Sequence, residues 1–205
     1  MASVYDVKPQ FQKLLQPLLA ALRSAGVTPN HLTLIALLLS IAVGLAATRA
    51  HEDPRWFLLL PLWLLLRMAL NALDGMMARQ YQMSTPLGAV LNEMGDILSD
   101  LALYLPLAFT GSARVWPAVA FGIGALLTEC CGLLSQALGR GRRYDGPMGK
   151  SDRALVVGAW ALLAAFVPAV EKRLPLVLWI LAALTVMTCL NRLRHAIAAP
   201  SGEPA

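Results

Sequence analysis

The chain has 205 residues, 58% of them hydrophobic and 14% charged, with a formal net charge of +5. Several apolar runs of about 20 residues argue against a water-soluble globule and for a polytopic helical membrane protein. A positive balance then reflects basic loops facing anionic lipid rather than nucleic-acid binding. Cys130, Cys131 and Cys189 lie in apolar stretches and form neither a disulfide framework nor a zinc spacing, which leaves them as small buried hydrophobes.

Residues 1–27 lack the basic start, short apolar core and small-residue cleavage site of a signal peptide. Phe11, Leu14, Leu15, Leu18, Leu19 and Leu22 make one apolar face, while Lys8, Gln12, Lys13, Gln16 and Arg23 are polar. The pattern suits an amphipathic helix in the membrane interface, or a juxtamembrane helix packed on the protein. Thr28-Pro29-Asn30 opens the first spanning helix, with threonine as cap and proline in the first helical position, and the helix runs to about Thr48. His31 reads as an interfacial residue. A polar loop from Arg49 to Arg55 follows, and the second helix runs from about Trp56 to Arg79. Trp56 and Trp63 suit interface or lipid contacts.

The stretch Asn71 to Asp100 lies between strongly apolar segments, yet contains Asp74, Glu93, Asp96, Asp100, Asn71, Asn92 and Arg79. An ionised group at bilayer depth costs about 2.5–3.5 kcal/mol on insertion scales, so these groups are functional candidates. Asn71, Asp74 and Ala78 share one helix face. Gly88, Asn92, Asp96 and Asp100 recur every four residues on the next helix, expected from Pro86 to Phe109. Ser84 or Thr85 caps that helix and Pro86 takes its first position. Two antiparallel helices thus bring Asp74 and Asp96 towards each other near one membrane surface. Carboxylates with amide oxygens suit a hard cation, Mg²⁺ or Mn²⁺, and hence a phosphorylated substrate.

These residues resemble the signature of the CDP-alcohol phosphotransferases, also called CDP-alcohol phosphatidyltransferases. That signature reads Asp, two residues, Asp-Gly, two residues, Ala-Arg, eight residues, Gly, three residues, Asp, three residues, Asp. Here Asn71, Asp74-Gly75, Ala78-Arg79, Gly88, Asn92 and Asp96 reproduce every interval, with asparagine at the first and third aspartate positions. The Thr28–Thr33 run also resembles the start of the family's first membrane helix.

The resemblance implies transfer of the phosphoryl-linked part of a CDP-alcohol to a hydroxyl with release of CMP. In bacteria-like members the donor is CDP-diacylglycerol and the product a phospholipid, which places such a protein in a bacterial inner membrane. It also implies one or two metal ions held by Asn71, Asp74, Asn92 and Asp96, with Asp96 as the catalytic base. Gly75, Ala78, Arg79 and Gly88 are the implied substrate contacts, and a homodimer is the implied assembly. Four nearby groups can support or compensate this set. Arg67 either partners an acid of the motif or lines the cavity. Glu93 is rotated about 100° from Asn92 and can substitute for a lost charge only by reaching sideways. Asp100 lies about 6 Å further along the helix than Asp96 and supports the ligands from behind or pairs with Arg67.

A fourth helix, about Val115 to Leu138, contains Glu129, either a hydrogen-bonded interior acid or a further ligand. The loop Gly139 to Asp152 carries Arg140, Arg142, Arg143 and Lys150. It marks a cytoplasmic face or binds phosphate through charge-assisted hydrogen bonds. Gly149-Lys150 resembles the family's basic segment before the fifth helix, which makes Arg140, Arg143 and Lys150 candidates for the acceptor. Helices five and six are expected over about Arg153 to Val170 and Leu174 to Asn191.

The expectation is an all-α fold with six membrane-spanning helices. It comprises an amphipathic helix at 1–27, one membrane domain at 28–195 and a polar tail at 196–205. On this topology Lys8, Lys13, Arg23, Arg79, Arg140, Arg142, Arg143, Lys150, Arg153, Arg192 and Arg194 share the side of the termini. Arg49, Arg55, Arg114, Lys172 and Arg173 face the other, so both termini and the motif's turn are cytoplasmic. Two other classes compete with the enzyme. The two asparagines favour a non-catalytic lipid- or partner-binding protein. A small transporter would use intramembrane acids for ions, but its usual inverted repeat and broken helices are missing from this sequence.

Overall fold

The computed structural model describes residues 4–111 and 114–198, with side chains from Gln10 onward up to that limit. Residues 199–205 of the expected tail, residues 1–3 and the side chain of Lys8 lie outside the described part. Among the described residues every regular element is helical. They are α1 (Val4–Ser24), α2 (Pro29–Ala47), α3 (Leu59–Gln80), α4 (Pro86–Tyr104), α5 (Val115–Ala137), α6 (Lys150–Ala164), the one-turn α7 (Pro168–Glu171) and α8 (Leu174–Ala198), with 3₁₀ turns at Thr48–His51, Pro54–Leu58 and Leu105–Phe109.

Four helical stretches are long and apolar enough to cross a membrane: Pro29–His51, Pro54–Gln80, Val115–Ala137 and Leu174–Ala198. They make this an integral membrane protein. Helix α4 carries Glu93, Asp96 and Asp100 within its 19 residues, and α6 has 15 residues, so neither stands out by length and composition alone.

Prolines set several boundaries. The helix expected to reach Phe109 ends at Tyr104, and a 3₁₀ turn containing Pro106 follows. The helix expected as the fifth span begins earlier, at Lys150, and stops at Ala164. Val167, preceding Pro168, is extended at φ −125° and ψ 98°, because the proline ring disfavours a helical residue before it. The last helix continues beyond Asn191 to Ala198.

Packing divides the chain into two compact units, Met1–Leu39 with Leu65–Ser99, and Ser40–Leu64 with Asp100–Ala205. In the first, Leu15 and Leu19 of α1 are buried with Leu32 of α2 and Leu73, Met76 and Met77 of α3. Phe11 and Leu22 pack against this core, whereas Leu14 and Leu18 are 75% and 49% exposed. The apolar face of α1 is therefore shared between the protein and its surroundings. The helix closes with Gly26 at φ 76°. Its N–H donates to Arg23 O and that of Val27 to Leu22 O, a helix-ending turn for which glycine is favoured. Thr28 and His31 then cap α2 reciprocally, backbone N–H to side chain, at 3.4 and 3.3 Å.

In the second unit small residues let helices approach closely. A Cβ on Gly44 would stand 1.9 Å from Ala102 O, and one on Gly124 of α5 would stand 2.0 Å from Thr185 Oγ1 of α8. Trp63 donates to Ser40 Oγ at 3.0 Å, and Phe57 meets Trp160 edge to face at 5.0 Å between centroids.

Candidate functional site

The motif residues lie in the first unit, on α3 and α4. Thr85 accepts the Gly88 N–H at 2.9 Å and so starts α4, after which Asn92 and Asp96 follow at one-turn intervals. Asp96 is held from α3. Asn71 Nδ2 donates to Asp96 Oδ1 at 3.2 Å, and Arg67 Nη2 donates to the Asp96 carbonyl at 2.9 Å and lies 3.5 Å from Oδ1. Arg67 is buried, whereas the Asp96 side chain is 19% exposed. Arg67 thus partners an acid of the motif. The amide orientation directs the nitrogen of Asn71 at Asp96 and leaves its oxygen as an acceptor.

Asp74 is buried and accepts a hydrogen bond from Thr33 Oγ1 of α2 at 3.2 Å. Thr33 was not singled out from the sequence, although it ends the Thr28–Thr33 run. Asn30 of the same run reaches Gly88: a Cβ there would lie 3.0 Å from Asn30 Oδ1. The exposed Arg79 turns back along α3, so that a Cβ on Gly75 would meet its Nη1 at 3.2 Å. Ala78, Asn92 and Glu93 are half-buried.

The oxygen donors available here are the carboxylates of Asp74 and Asp96 and the amides of Asn71 and Asn92. They are hard ligands that fit Mg²⁺ or Mn²⁺ and offer nothing for a soft metal. Among the described residues no three His, Cys, Asp or Glu side chains group as a metal centre. Asparagine at two motif positions accounts for this, since the acids that would complete such a group are replaced by neutral amides.

The second unit holds a separate buried polar cluster. Arg153 of α6 is fully buried, and all five of its N–H groups have acceptors. Nε and Nη2 donate to Asp100 Oδ2 at 3.1 and 2.8 Å, and Nη2 to Glu129 Oε1 at 2.8 Å. Nη1 donates to Thr128 Oγ1 at 2.7 Å and Met148 O at 3.1 Å. The other Glu129 oxygen accepts from Arg142 at 3.1 Å. Buried Arg192 of α8 donates to the carbonyls of Asp145, Tyr144 and Thr128.

Arg143 pairs with Asp145 at 2.8 Å. Burial pushes the Asp145 carboxyl up, but the Arg143 hydrogen bond, a local backbone hydrogen bond and the Arg143 and His195 charges together hold it below its ordinary value. Arg140 reaches Ile197 O at 3.4 Å, and Lys150 is the half-buried first residue of α6. Asp100 and Glu129 therefore share Arg153. Arg153 and Arg192 entered the sequence reading only as topology charges; arginines inside or at the edge of apolar helices were the available signal.

The chain belongs to the CDP-alcohol phosphatidyltransferase family, whose sequence profile matches residues 26–191. It is 46% identical over 195 residues to the inner membrane protein YnbA of Escherichia coli strain K12, covering 95% of this chain and 96% of that protein. Its fold is similar to that of the phosphatidylinositol phosphate synthase PgsA1 of Mycobacterium tuberculosis. The crystal structure with CDP-DAG bound matches at a TM-score of 0.77 and 23% identity, covering 94% of this chain and 98% of that one. The structure in complex with manganese and citrate matches at 0.76 and 23%, covering 92% of each chain.

Proposed function

We propose that the protein is a metal-dependent phosphatidyltransferase of phospholipid biosynthesis, moving a phosphatidyl group from CDP-diacylglycerol to the hydroxyl of a small alcohol and releasing CMP. The observation that carries this reading is the Asp96 carboxylate at the family's last motif position, oriented by Asn71 and Arg67 and accessible on one side. Asn71, Asp74, Asn92 and Asp96 would hold one or two Mg²⁺ or Mn²⁺ ions. Such an ion neutralises the donor's diphosphate and stabilises the departing CMP. Asp74, buried and held by Thr33, is the fixed anionic ligand, and the two amides supply neutral oxygens.

Asp96 takes the acceptor's hydroxyl proton as general base, its carboxylate aimed by the hydrogen bonds from α3. Gly75, Ala78 and Gly88 contact the donor, and Arg79 offers its exposed guanidinium to phosphate oxygens. The loop with Arg140, Arg143 and Lys150 serves the acceptor. Six crossings with both termini and the motif in the cytoplasm follow from the distribution of basic residues. The family resemblance implies that the protein acts as a homodimer.

The test is CMP release from CDP-diacylglycerol by purified protein in lipid, with Mg²⁺ or Mn²⁺ and a panel of alcohols. Release should require the metal and one acceptor class and disappear in Asp96→Ala. Full turnover in excess chelator would refute the metal role. The asparagines at two ligand positions favour a second reading, a non-catalytic lipid-binding member of the family. Binding of CDP-diacylglycerol without CMP release from any acceptor would establish that reading instead.

A further inference from the structure

We propose that Arg67 serves as a built-in cation for Asp96, so that the motif holds one divalent metal ion and not two. The inference rests on the transferase reading above and fixes the number of ions its site takes. The residues involved all lie in the first unit, on α3 and α4.

The charge available sets the count. Carboxylates hold a hard divalent ion tightly, and neutral amide oxygens hold it more weakly. Asp74 and Asp96 each supply a negative charge, while Asn71 and Asn92 supply none. Glu93 is on the same helix as Asp96, yet among the described residues no three His, Cys, Asp or Glu side chains group as a metal centre. A pair of carboxylates balances a single divalent ion. A second ion would bring uncompensated positive charge to a site that already contains a guanidinium.

That guanidinium belongs to Arg67, one turn before Asn71 on α3 and only 3% exposed. Its Nη2 donates to the Asp96 carbonyl at 2.9 Å and lies 3.5 Å from Asp96 Oδ1. Asn71 Nδ2 donates to the same Oδ1 at 3.2 Å. This carboxylate oxygen therefore faces a positive charge and an N–H, the surroundings that a metal ion would otherwise provide. Asparagine at position 71 is part of the device. An ionised aspartate there would set a second anion against Asp96 Oδ1 and call for a further cation. Arg79, also on α3, is exposed and turns back towards Gly75, so a buried charge rather than a solvated one compensates Asp96. Asp74, buried and fixed by Thr33 at 3.2 Å, remains as the anionic ligand that the ion requires.

Ion counting on the full-length protein tests this, in nanodiscs of zwitterionic lipid with Mn²⁺ alone as the probe. Electron paramagnetic resonance reads free Mn²⁺ and needs no turnover. The wild type should take up a single tight ion per chain, and Asp74→Asn should weaken it at least about tenfold. Two tight ions per chain, or no saturable uptake below about millimolar Mn²⁺, overturns the proposal.

Arg67→Gln removes the charge and keeps a hydrogen-bond donor. It should bind Mn²⁺ about tenfold more tightly, because a repelling charge has gone, while CMP release falls, because Asp96 is no longer held in place. A merely structural Arg67 would lower metal affinity and CMP release together. A folded Arg67→Gln with Mn²⁺ affinity at or below that of the wild type overturns the proposal. Should that variant not fold, the wild-type count and Asn71→Asp/Asn92→Asp decide: returning both acids should admit a second tight ion, and a count still at one overturns the charge argument. Absence of CMP release from every acceptor defeats the transferase reading instead, while the Mn²⁺ counts still decide how many ions the motif holds.

Discussion

Replacing Arg153 by methionine removes a guanidinium that two buried acids share. Arg153 is fully buried, lies 2.8 Å from both Asp100 and Glu129, and uses every N–H it has. Glu129 retains Arg142 at 3.1 Å, whereas Asp100 Oδ2 loses both of its guanidinium hydrogen bonds. Removing one partner of a buried ion pair costs about 3–5 kcal/mol, chiefly because the remaining charge has lost its compensation. At roughly 2–4 °C per kcal/mol for a chain of this size, the variant should melt about 6–20 °C lower.

Scanning fluorimetry in lipid nanodiscs, read against the wild type at one pH and salt, measures the shift. Neutralising one of the two acids in Asp100→Asn/Arg153→Met should recover a substantial part of it, whereas Arg153→Lys should fall between, keeping the charge but not the five-donor geometry. A melting temperature within about 2 °C of wild type for Arg153→Met, or a double variant no better than the single one, would refute the account of a charge-compensated core.

Thr33→Val, which keeps the shape and removes the 3.2 Å hydrogen bond to Asp74, should cost about 0.5–1.5 kcal/mol in denaturant melts and raise the Mg²⁺ concentration needed for half-maximal CMP release. Unchanged metal dependence would remove Thr33 from the support of that carboxylate. Gly44→Ala should destabilise by about 1–3 kcal/mol, because the added Cβ would stand 1.9 Å from the Ala102 carbonyl and the backbone must shift. A neutral result in thermal melts would show that this helix crossing is loose.

Asp145 sets a pH signature, since its carboxyl is held below the ordinary value. Its stabilisation is fully present above the unfolded carboxylate pKa, about 3.9, and is lost as pH falls through the lower folded value. The melting difference between wild type and Asp145→Asn should shrink as the medium is acidified below about pH 4. A difference that grows on acidification would reverse the sign of the argument.

The helical class, the membrane setting and the motif were legible in the sequence because each rests on local periodicity. Residues three or four apart share a helix face wherever that helix packs, so Asn71 with Asp74, and Asn92 with Asp96, could be grouped before any fold was known. Threonine and proline at helix starts mark Pro29 and Pro86 by the same local logic. Prolines also cut the helices after Tyr104 and before Pro168, where apolar runs alone extended them too far.

Partner choice was decided by tertiary structure. The sequence contains more arginines near its apolar helices than motif acids to pair with, and nothing local says which meets which. Asp100 receives Arg153 from 53 residues away, and Thr33 reaches Asp74 from 41. The loop arginines that read as free phosphate ligands include Arg142 and Arg143, which the fold places on Glu129 and Asp145. The physical reason is desolvation: a charge removed from water must find compensation wherever packing brings an opposite charge near, and packing is a property of the whole chain.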